Sequence, residues 1–593
     1  MTRDDECGDD EPSRARGGER VRARFVVASS SVTTSASTSS SRVRARFESD
    51  TTREMFRESM SIASTLALAL AFALEVYCEA RDVGGGQGTS ASSDNTEVLA
   101  RESERSIERT NGKDDEDVEY AIAGDRANRA RGVSASSVVA SAGARCAMLD
   151  RDALRACRGS IQASAELAVI MFLFWFCDRS GLVRERTKSY DRDLLAAIFC
   201  GLAAYGWKTS LKDSKTSAPL HRQQTEEMKG WMQVLFLLYH YFDAGEMYNL
   251  IRVFIAAYVW MTGFGNFSYY YIKNDFSAIR FAQMMWRLNF FVCVVCLVMK
   301  NDYMLYYICP MHTLYTLTCY CALAIFKSKN NDPKWIYAKF AVSFALVAVV
   351  WEIPGVFDAL FRPFQFLFGY VNPARPDIPA LHEWHFRSGL DRYIWIYGMM
   401  CAYWHPKYES MMKWIDERSL RERVIFQGGI VAASSAVLYA WFVTLYSLDK
   451  FAYNKWHPYT SWIPLTCFIF LRNATKSLRS YHIDIFCICG QVTLETYICQ
   501  FHIWLSTSNV PNGQPKMIMD LVPGYPLLNF LLCSYIYIGI SHRVFHVTNV
   551  LKDSIIPSKD HIALTHNLIL SGAFIAFAGA IGVFSSLMFT GST

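Results

Sequence analysis

The chain has 593 residues, 51% of them hydrophobic, 14% aromatic and only 19% charged, with a formal net charge of +5 and a mean hydropathy of +0.10. So small a positive charge, with no basic and aromatic patch beside it, gives no ground for a nucleic-acid partner. The 17 cysteines lie mostly inside apolar runs, the pattern of buried free thiols and not of a disulfide framework or a metal centre.

These averages hide two different parts. Residues 1–57 mix arginine with serine and threonine and read as a disordered N-terminal region. Residues 58–78 hold an Ala/Leu run, Ser61 to Tyr77, which reads as a first span or signal anchor. Residues 79–160 form a polar insertion without a histidine, again expected to be disordered. From 161 to 593, apolar runs of about 17–25 residues recur, the length a bilayer crossing needs. They are too long and too continuous for barrel strands, which alternate over about 10 residues. The expected fold is an all-α polytopic bundle of about 13–14 transmembrane helices.

Lysine and arginine cluster at 208–229, 327–334, 407–423 and 472–479, which the positive-inside rule places in the cytosol. Alternation then puts three loops on the luminal side, around His382–Arg392, His457–Tyr459 and Asn509–Gly513. The basic stretch 178–193 conflicts with this, because one simple span separates it from 208–229. Either 194–207 is re-entrant or one loop breaks the rule.

Charged and titratable residues in such surroundings are costly and need partners, water or a function. Lys229 opens a helix on which His240 lies eleven residues on, about 16 Å along the axis. Arg280 and Arg287, seven apart, share a helical face and could grip a polyanion. His312 follows Pro310, where a kink is expected. His382, Glu383, Trp384, His385 and Asp391 crowd one short loop, and a histidine oriented by a carboxylate can deprotonate a hydroxyl. Asn454, His457, Tyr459 and Trp462 form a second loop whose aromatic faces and polar groups suit a sugar ring; a membrane-interface belt is the alternative. Glu495 and His502 share a helical face further on. Asn266, Tyr303 and Trp462 are candidate oxyanion donors, and Asn266 and Asn473 stand in glycosylation sequons. His482 and Asp484 near Cys487 and Cys489 show no recognisable metal-ligand spacing, and no metal is expected.

Taken together, the stretches 226–240, 260–270, 281–291, 302–314, 351–357, 382–395, 457–464, 494–504 and 509–516 resemble the membrane O-acetyltransferase family typified by the fungal capsule-polysaccharide enzymes. The likeness leans toward its plant reduced-wall-acetylation members. It implies cytosolic acetyl-CoA as donor and a cell-wall-type polysaccharide in the Golgi lumen as acceptor, with the protein in the Golgi membrane. On that basis Lys229, Arg280 and Arg287 become donor-binding candidates. His240, His312, His382, Glu383, His385, Asp391 and His502 become catalytic candidates, and Trp384, Asn454, His457, Tyr459 and Trp462 acceptor-binding ones. Fungal and animal members carry a luminal Ser/Asp/His domain, for which the 79–160 insertion is too short. The resemblance therefore leaves two functions open: an enzyme, or a transporter supplying acetyl to a separate luminal acetyltransferase.

Overall fold

The computed structural model describes residues 157–372, 375–507, 515–557 and 560–572. The readings made for 1–57, 58–78, the Asn509–Gly513 loop and nearly all of 79–160 lie outside these residues.

Fifteen longer helices carry the fold. They are α1 (Arg158–Asp178), α2 (Arg192–Thr209), α3 (Arg222–Phe242), α4 (Tyr248–Lys273), α5 (Ala278–Met299), α6 (Ile308–Ala324) and α7 (Pro333–Glu352). Then come α8 (His382–Leu390), α9 (Ile394–Asp416), α10 (Leu420–Trp441), α11 (Lys450–Thr460), α12 (Trp462–Asn473), α13 (Asp484–Gln491), α14 (Thr493–Ile503) and α15 (Pro526–Ile555). Among the described residues, six helical segments are by themselves long and apolar enough to cross a membrane: α1, α5, α7, α15, α4 with its leading turn, and α10 with the π-helical turn Phe442–Tyr446. The other apolar runs are shorter, more polar or broken. The run at 450–473 divides into α11 and α12, and that at 484–503 into α13 and α14.

Two small sheets mark opposite ends of the bundle. Strand β1 (Arg184–Thr187) pairs with β5 (Met517–Asp520), which also pairs with β4 (Leu505–Ser506). Strand β2 (Leu211–Asp213) pairs with β3 (Tyr481–Ile483). The start of α3 sits at the β2–β3 end, where Glu227 accepts from the Ile483 amide. Its far end lies near the other sheet: Tyr190, just after β1, donates to Glu246, just after α3. Helix α2 therefore runs from one end to the other and is not re-entrant; the basic loop 178–193 is the one that departs from the charge rule. Three of the remaining basic loops do meet at one end. Arg479 donates to the Ser217 carbonyl and pairs with Asp416.

Glycines set the closest helix contacts. A Cβ on Gly230 would lie 1.8 Å from the Phe486 carbonyl oxygen, and one on Gly490 only 2.0 Å from that of Glu226. Helices α3 and α13 thus meet backbone to backbone, as small residues permit in membranes. Gly263 and Gly398 play the same part between α4 and α9.

Three local expectations change. Pro310 lies in the first turn of α6, where its missing donor costs nothing, so the helix starts there and does not kink. The stretch 453–462 is largely the helix α11, started by the Asp449 carboxylate accepting from the Phe451 and Ala452 amides, and not a loop. The 382–390 stretch is likewise helical. Both sequon asparagines are buried within the bundle, Asn473 bonded to the Ile469 carbonyl, so neither can report sidedness.

Candidate active site

Helices α3, α4, α5, α6 and α14 enclose a cavity of about 900 Å³. Each contributes a stripe at helical spacing, as with Glu226, Lys229, Gln233 and Phe236 on α3. At the β2–β3 end the cavity is basic. Lys229, Arg280 and Arg287 all line it, brought together from two helices far apart in sequence. Their charges are held differently. Lys229 pairs with Glu226 at 2.6 Å, and Arg287 pairs with buried Glu495. Arg280 makes no ion pair among the described residues and lies over the Tyr269 ring at 4.3 Å. Deeper in, the wall turns apolar and aromatic at Phe236, Ile308 and Tyr497.

Four of the histidines named from sequence fall in two classes. His312 lines the cavity, its Nδ1 2.7 Å from the Thr262 hydroxyl. When that hydroxyl donates to the Tyr258 carbonyl at 3.2 Å, His312 Nδ1 carries the proton and Nε2 is left as a base. His240 stands one turn beyond Phe236, their rings 4.4 Å apart. The Gln500 amide nitrogen donates to the Tyr497 carbonyl, which turns its oxygen toward His240 Nδ1 at 3.1 Å. An amide oxygen only accepts, so Nδ1 is protonated and Nε2 holds the lone pair. By contrast, His457 and His502 have both nitrogens engaged. His457 sits between Asp391 (3.3 Å) and the Tyr453 hydroxyl (3.1 Å), and His502 between Asp178 (2.8 Å) and the Tyr306 hydroxyl (2.5 Å).

The cluster expected at 382–391 is not one site. His385 and Asp391 lie six residues apart, on different faces, and do not meet. His382 and His385 are exposed, and His385 packs its ring against Phe357. Glu383 pairs with Arg387. Trp384 is buried and stacked on Phe368, with no face free for a sugar. Asp391 is buried with Arg252 at 2.7 Å and with His457. Among the acceptor candidates, Asn454 bonds Tyr248, while Tyr459 and Trp462 stay exposed, Tyr459 donating to Glu352. Sequence reasoning missed Arg252 and Asp178. A lone arginine inside the apolar run of α4 was the available signal for the first; Asp178, ending α1, had none so clear. His482, Asp484 and Cys487 do come within reach of one another, but Asp484 is held by Lys212 and the Cys487 thiol by the Gln223 carbonyl.

Over residues 124–569 the chain matches the family described as a 10 TM Acyl Transferase domain found in Cas1p. The chain belongs to this family. It is also similar to the N-acetylneuraminate (7)9-O-acetyltransferase of Danio rerio, 30% identical over 434 residues. That alignment covers 70% of this chain and 53% of the relative, so the chain spans about half the length of that protein. No solved structure matches. As a member of the family, the chain is a multi-pass membrane protein built around an acyltransferase bundle.

Proposed function

We propose that this chain, in the Golgi membrane, transfers acetyl from cytosolic acetyl-CoA to a hydroxyl of a cell-wall-type polysaccharide in the lumen. The observation that carries the reading is the cavity itself: three cations at its mouth, an apolar depth, and behind the Phe236 ring at its inner end the His240 imidazole with a free nitrogen. Lys229, Arg280 and Arg287 would hold the donor's phosphates, with the pantetheine arm passing His312 and the thioester resting near Phe236 and Tyr497. His240 Nε2 takes the proton from the acceptor hydroxyl while the hydroxyl oxygen attacks the thioester carbonyl carbon. As the carbon–sulfur bond breaks, the leaving thiolate takes that proton back. Acetyl ester and CoA are formed, and no proton is left over. The family and the relative's name support acyl transfer to a glycan.

One observation favours the second reading, an acetyl transporter. The relative extends well beyond the shared part, so its chemistry need not all reside in the bundle. Purified protein with radiolabelled acetyl-CoA and xylan-type oligosaccharide separates the two. Labelled sugar formed without a partner supports the enzyme; acetyl-CoA uptake into liposomes with no labelled sugar establishes the transporter.

A further inference from the structure

Acyl transfer needs a donor for the negative oxygen that forms when the thioester carbonyl is attacked. Two of the three candidates read from sequence have committed their only donor hydrogen, and Asn266 has spent one of its two and lies one turn before Tyr269, at the basic end of the cavity. Asn266 donates to the Thr262 carbonyl (2.8 Å), Tyr303 to Asn289 (2.5 Å) and Trp462 to the Tyr459 carbonyl (3.0 Å).

Tyr497 differs from all three. Its side chain lines the inner end of the cavity and is 3% exposed, yet its hydroxyl has no hydrogen-bond partner. A buried hydroxyl is costly to leave unpaired, and each such group in a native structure calls for an explanation. Among the described residues, the other fully buried side-chain atom on this cavity's wall without a hydrogen bond is a Glu226 oxygen, and that lies against the Lys229 ammonium. The backbone amide of Ile308, at the start of α6, approaches the Tyr497 oxygen without closing a hydrogen bond. It could only donate to that oxygen, so the phenolic proton stays free. Position agrees with this. The Tyr497 ring lies 6.0 Å from Phe236 and 5.4 Å from Phe501, and His240 packs against the same two rings. The free hydroxyl and the free imidazole nitrogen therefore belong to residues packed on the same pair of rings. The Gln500 amide ties them further, bonding the Tyr497 carbonyl on one side and His240 on the other.

We propose that Tyr497 is a catalytic residue: its hydroxyl donates a hydrogen bond to the thioester carbonyl oxygen of the donor and strengthens that bond as the oxygen becomes negative. The proton stays on Tyr497 throughout, while the acceptor's proton passes to His240 and on to the leaving thiolate. This rests on the acyltransferase reading.

The test is Tyr497→Phe, which removes one oxygen and keeps the ring, measured beside wild type and His240→Ala in the purified transfer assay. The expected result is a fall in kcat of about 10²–10³-fold with little change in KM for acetyl-CoA. Thermal stability should be equal or higher, because the deleted group has no partner to lose. Unchanged kcat in Tyr497→Phe, with His240→Ala inactive, would overturn the assignment and leave the acyltransferase reading intact. A raised KM with kcat retained would also overturn it, since the hydroxyl would then be a ground-state contact. If wild type itself forms no acetyl ester, the acyltransferase reading fails and takes this role with it.

Discussion

His240 and His457 are both histidines in the interior of one helical bundle, yet they differ in what surrounds them. His457 is saturated: an aspartate holds one nitrogen, a tyrosine hydroxyl the other, and Arg252 balances the aspartate. His240 has a neutral amide on one nitrogen and aromatic rings around it, and its second nitrogen keeps its lone pair. The pair teaches that a carboxylate beside an intramembrane histidine marks structure here as readily as chemistry. What marks chemistry is an unspent hydrogen-bonding atom.

Substitutions can break or sharpen this contrast. The largest effect is expected at His240: replacement by alanine should lower the transfer rate about 10²–10⁴-fold while the protein still purifies as a monodisperse species. Asp391→Ala should act through stability instead, costing about 3–5 kcal/mol because Arg252 is left charged and buried, and this would be seen as a fall in thermal midpoint in detergent. If Asp391→Ala were stable but inactive, the proposed division between the two histidines would be wrong. Arg280→Ala should raise KM for acetyl-CoA about tenfold, roughly 1.4 kcal/mol. Arg287→Ala should do less to KM and more to stability, since it strands the buried Glu495 carboxylate. Smallest is His385→Ala, whose exposed ring should change stability by no more than about 0.5 kcal/mol and leave kcat within twofold.

Much of the fold was legible in the chain. Apolar run length alone gave a polytopic helical bundle, and the seven-residue spacing of Arg280 and Arg287 gave a shared face that does line the cavity beside Lys229. Other features could not be read there. Asp391 seemed to serve His385 because the two are near in sequence, but helical geometry turns them apart and gives Asp391 to residues 139 and 66 positions away. The stretch at 453–462 looked like a loop because of its Pro458 and its polar residues; the capping role of Asp449 was the clue to a helix. The saturation of His457 and His502, and the unpaired hydroxyl of Tyr497, depend on which helices meet, and that is set by close contacts such as Gly230 against Phe486. Such contacts leave no periodic trace in one sequence.

The most direct measurement is a cryo-electron microscopy structure of the protein with a non-hydrolysable acetyl-CoA analogue. The account predicts phosphates against Lys229 and Arg280, and the acyl carbonyl within hydrogen-bond reach of the Tyr497 hydroxyl and next to His240. An analogue bound with its acyl end at His385, or outside the cavity of α3 to α6 and α14, would contradict it.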